Sequence, residues 1–61
     1  MTSEQVTTLC FELIRGRYNH LDGYSFVGAV ATELAQLKEQ GFITPELVVD
    51  VMCLAYKSKN L

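Results

Sequence analysis

Residues 40–48 read "QGFITPELV". No other stretch limits the fold so tightly, because it holds a helix stop and a helix start with only Phe42 and Ile43 between them. Gly41 suits the left-handed position just past a helix end, where a side chain would clash. That places Leu37 and Phe42 as the apolar pair that accompanies a Schellman ending. Thr44 is a favoured N-cap, Pro45 a favoured first helical residue, and Glu46 an acid in the first turn, where the helix dipole is positive. Ile43 and Val48 fall at the two positions of a hydrophobic staple. A connection this short makes the two flanking helices antiparallel or steeply crossed neighbours, that is, a tight helical hairpin.

The apolar residues recur with helical spacing over nearly the whole chain. A first helix is predicted over about 3–18, with Val6, Cys10, Leu13 and Ile14 as its stripe and Leu9 and Phe11 beside it. Thr2 as cap and Gln5 three residues later form a capping box. "LDG" at 21–23 signals a turn. Ser25 then caps a second helix over about 26–40, whose stripe is Phe26, Val27, Val30, Leu34 and Leu37. Gly28, Ala31 and Ala35 lie beside that stripe and would let another backbone come close. The third helix runs over about 45–57. The expectation is an all-α, three-helix domain comprising residues 1–61.

With 61 residues the chain holds one small domain, and a core of that size is marginal on its own. Disulfides, metals or self-association usually supply the missing stability. Cys10 and Cys53 are the only cysteines. The start, "MTSEQVTT", has no apolar signal segment, and the chain reads as a whole small cytoplasmic gene product with reduced thiols. No apolar run is long enough to span a membrane. Cys10, His20 and Cys53 have no metal-ligand spacing, so no metal and no cofactor is expected. Self-association remains, most simply as a homodimer. The third helix supports it. Its apolar arc covers about 260°, where an outer helix needs somewhat over 100°. The predicted oligomer interface is therefore Val48, Val49, Met52, Cys53 and Tyr56.

Catalytic chemistry has little to stand on. There is one histidine, Glu12 and Glu33 read as isolated acids on helix surfaces, and Cys53 reads as a buried apolar thiol. The outline helix–glycine turn–helix over 33–52 resembles a DNA-binding motif in form. However, the helix that would enter a groove carries Leu47, Val48, Val49, Asp50, Val51 and Met52 instead of base-reading side chains. A net charge of −2 gives no phosphate-attracting field. No nucleic acid and no membrane is expected as a partner.

One polar cluster stands out, "RGRYNHLDGYSF" at 15–26, which holds both arginines and the single histidine. Positive residues complement the end of the first helix, and surface loops are polar by default. Arginine and tyrosine are also the residues of binding hot spots. Arg15, Arg17, Tyr18, His20 and Tyr24 are accordingly the candidate partner-binding residues, for an acidic protein surface. The reading is a non-enzymatic regulator or inhibitor, of the kind phages and mobile elements often encode, that works as a helical homo-oligomer and masks or modulates a larger protein. A helix-turn-helix transcriptional regulator or a small subunit of a hetero-complex is the alternative.

Overall fold

End residues satisfy backbone groups at the start of the first helix, the end of the second and the start of the third. In the computed structural model, which describes residues 1–59, three helices follow one another: α1 Ser3–Arg17, α2 Gly23–Glu39 and α3 Pro45–Lys59. Thr2 and Gln5 form the capping box of α1, with the Gln5 N–H donating to Thr2 Oγ1 at 3.1 Å and the Thr2 N–H donating to Gln5 Oε1 at 2.9 Å. At the end of α2 the Phe42 N–H donates to the Leu37 carbonyl at 2.9 Å and the Gly41 N–H to the Lys38 carbonyl at 3.0 Å, with Gly41 at φ 81°. These are the two bonds of a Schellman ending. Phe42 nevertheless stays largely exposed, so the backbone and not the predicted apolar pair closes this turn. Thr44 Oγ1 accepts from the Leu47 N–H at 3.2 Å and caps α3.

The start of α2 differs from the sequence expectation. Ser25 is not the cap; Asp22 stands at the N-cap in extended backbone, and the helix begins at Gly23. Gly23 has φ +55°, a conformation that L side chains rarely adopt. That freedom lets the chain reverse sharply after the Leu21 N–H bonds the Tyr18 carbonyl at 3.0 Å, and enter the helix earlier than a residue with a Cβ would allow.

The core comprises Phe11 and Ile14 from α1, Phe26, Val27, Val30 and Leu34 from α2, and Val51 and Ala55 from α3. The α2 stripe is thus the predicted one, with Leu37 half-buried. The α1 stripe is so only in part: Ile14 is buried and Cys10 packs against the core, but Val6 and Leu13 do not. Thr7, Phe11 and Ile14 face inward, while Val6, Leu9 and Leu13 stand in solvent. The reason is aromatic: α1 carries two apolar lines, and the one holding Phe11 buries more surface and sets its ring edge-on to Phe26, with centroids 6.5 Å apart at 86°. No neighbouring chain segment approaches Gly28, whose Cβ position has open space around it. α2 packs most closely on α3 and α1 also packs on α3, whereas α1 and α2 touch least. Among the described residues no helix is long and apolar enough to cross a membrane.

Candidate functional site

The end of α1 and the middle of α2 meet at one acid. Glu33 lies on α2 three residues from Val30 and four from Leu37, at the margin of the buried stripe, and its side chain is only 14% exposed. An acid so placed needs donors, because burying an unpaired charge is costly. Two come from α1: Arg17 Nη1 ion-pairs with Glu33 Oε2, and the Tyr18 hydroxyl donates to Glu33 Oε1 at 2.7 Å. Arg17 itself remains mostly in solvent, so its pairing is screened and contributes modestly. Tyr18 is half-buried against the core. Its bond to Glu33 is the charge-assisted kind, stronger than one between neutral groups. That bond, helped by desolvation and the Glu33 charge, raises the Tyr18 phenol above its usual value of 10.0, with Arg17 opposing.

Glu12 is not isolated either. It accepts from Arg15 Nη2 at 3.1 Å, one turn away on α1, and the Arg15 guanidinium lies 5.9 Å from the centroid of the Phe11 ring. The expectation of two lone surface acids is therefore corrected at both positions, for the same reason: each sits where a helix neighbour or a packed helix brings an arginine. Desolvation and then the Glu33 charge raise the Cys10 thiol above 9.0, which holds it protonated.

The five candidate partner-binding residues separate into two sets. Arg17 and Tyr18 converge on Glu33, and Arg15 leans along α1. His20 and Tyr24 are exposed beside the turn. In sequence Glu33 reads as an isolated surface acid, although an acid set on an apolar stripe is a signal of a paired one.

The five candidate interface residues separate too. Val48 and Met52 are half-buried and pack on the core, so the apolar arc of α3 is narrower than its helical wheel suggests. Val49, at 61% exposed, Cys53 and Tyr56 form the line that remains outside. Cys53 is thus exposed and not a buried apolar thiol. On α1 the line Val6, Leu9 and Leu13 is equally open, Leu13 at 66%. Its neighbours Met1, Gln5 and Glu12 line a shallow surface depression with Leu9. Among the described residues no three His, Cys, Asp or Glu side chains gather as a metal site. Comparison of the chain with protein-family models, curated proteins and solved structures gives no match in any of the three.

Proposed function

We propose that this protein is a cytoplasmic, non-enzymatic protein-interaction module that associates with itself and masks or modulates a larger partner protein. One observation carries the reading. The chain leaves aligned large apolar side chains in solvent on two helices, Val6, Leu9 and Leu13 on α1 and Val49 and Tyr56 on α3. Scattered exposed apolar residues need no explanation, but residues aligned along helix faces mark interaction surfaces. The polar groups gathered at Glu33 are spent on one another, which suits a structural tie better than catalysis. The outer face of α3 pairs its apolar line with the acids Glu46 and Asp50, a poor match for base edges and phosphates. His20 and Tyr24, exposed beside the turn, form the contact patch for the partner.

Sedimentation equilibrium of the full chain at micromolar concentration tests the first half. The expected mass is about twice 6.8 kDa. A monomer with a cooperative melt would reject it. For the second half, the immobilised protein should retain a specific protein from its host's lysate. That retention should be lost on His20→Ala with Tyr24→Ala while the melting curve is unchanged.

A further inference from the structure

The exposed line on α1 has heptad spacing, as does the inward line Thr7, Phe11, Ile14 and Tyr18, but only the exposed line is left open to solvent. Thr2, Val6, Leu9, Leu13 and Gly16 follow one another at steps of four, three, four and three residues. That alternation is the seam of a two-stranded coiled coil, with Val6 and Leu13 at the a positions and Leu9 and Gly16 at d. The first heptad, with Val6 at a and Leu9 at d, has the pattern that favours two parallel strands. Gln5 and Glu12 then occupy g, and Cys10 and Arg17 occupy e.

We propose that α1 is the self-association surface, and that it pairs in parallel and in register with α1 of a second copy of this chain. The inference rests on the self-association reading above and moves its seam from α3 to α1.

Charge selects the occupant and the direction. In a parallel pair each g residue meets the e residue five positions on in its partner. For Glu12 that residue is the partner's Arg17, and the two-fold axis makes the contact twice. An antiparallel pair sets g against g, so Glu12 faces the partner's Gln5 or the partner's Glu12 and not the partner's Arg17. The existing pairs survive in the dimer. Arg17 has five N–H donors and a largely exposed guanidinium, so it can hold its own Glu33 and the partner's Glu12 together. Glu12, with two oxygens, can keep Arg15. Gly16 has nothing of its own chain near its Cβ position, which leaves the end of the seam open for a facing backbone. The seam covers only two heptads. However, the fold already holds α1 helical, so association does not have to order it.

The test compares full-length variants by sedimentation over a concentration series, with circular dichroism to verify each fold. Leu9→Gln with Leu13→Gln, both at exposed positions, should raise the dimer dissociation constant at least tenfold. Val49→Asp with Tyr56→Asp should leave it within twofold. Glu12→Lys should weaken the dimer severalfold in low salt, and the difference should shrink in 1 M salt, where the screening length is about 3 Å. Gly16→Cys, with Cys10 and Cys53 replaced by Ala, should oxidise to a covalent dimer, since only a parallel register brings the two ends of α1 together. A wild-type dimer that ignores the α1 changes and dissociates on the α3 changes would overturn this seam and keep self-association. A dimer in which Gly16→Cys does not cross-link would overturn the parallel register. A monomeric wild type up to millimolar concentration would overturn both readings.

Discussion

The α2–α3 hairpin and the docking of α1 are held by different kinds of force. The hairpin closes through backbone bonds at Gly41 and Phe42, a cap at Thr44, and the fully buried Leu34, Val30 and Val51. None of these groups titrates. α1 packs on the hairpin through apolar side chains, Phe11 against Phe26 among them, and is tied to α2 as well by the polar contacts of Arg17 and Tyr18 with Glu33. The contacts that close the hairpin therefore carry no titrating group, whereas the polar part of the α1–α2 contact responds to salt and pH. Local bonds specify neighbours along the chain, whereas a long-range polar tie tells the first helix where to sit.

The largest effect should come from the hairpin. Leu34→Ala removes a fully buried side chain and should cost about 2–5 kcal/mol, most of the stability of so short a chain. Loss of a cooperative thermal transition would be the readout, and a melt close to wild type would mean the hairpin is not the centre of the fold. Gly41→Ala places a Cβ at φ 81° and should cost about 1–2 kcal/mol. Its amide exchange should quicken evenly over all three helices if the hairpin leads the fold. Glu33→Ala strips both α1 donors of their acceptor and should cost about 1 kcal/mol. Here exchange should quicken first in residues 11–17, and uniform loss of protection would erase the contrast between the two regions.

The smallest effect should appear in alkali. Tyr18 is raised above 10.0 and Cys10 above 9.0 in the fold, so each contributes stability that is complete below those values and declines as pH rises through the folded pKa. The melting temperature should fall above about pH 9. Tyr18→Phe and Cys10→Ala should each flatten part of that fall, and an unchanged slope in both would detach it from the α1–α2 contact.

The punctuation of the chain was readable because it depends on residues a few positions apart. Gly41, Thr44 and Pro45 place one connection, and Thr2 with Gln5 places the start of α1. The start of α2 was missed, since Gly23 competes with Ser25 and only the reversal after Tyr18 decides between them. The choice between the two apolar lines of α1 was also hidden. It depends on Phe11 finding Phe26, a contact between helices that no periodicity encodes. At the candidate surfaces the residue types were legible and their pairings were not. Arg17 and Tyr18 stood out by composition, but their acceptor lies on another helix. Val48 and Met52 look surplus on a wheel, but both are half-buried against the core.

Thr7 is the only polar side chain counted as buried among the described residues, and its hydroxyl donates to the Ser3 carbonyl of its own helix at 2.9 Å. Among the described residues the polar contact between helices, at Glu33, therefore lies at the margin of the core and not within it. Cores without such matched polar pairs accept many combinations of apolar residues, provided volume and pattern are kept. Over evolutionary time the inside of this protein can drift among valine, leucine, isoleucine and methionine with little penalty. Descendants of one ancestor could share all three helices and retain few identical core letters. In such a lineage the lasting marks of kinship would be the glycine and threonine–proline punctuation and the acid that α1 clasps.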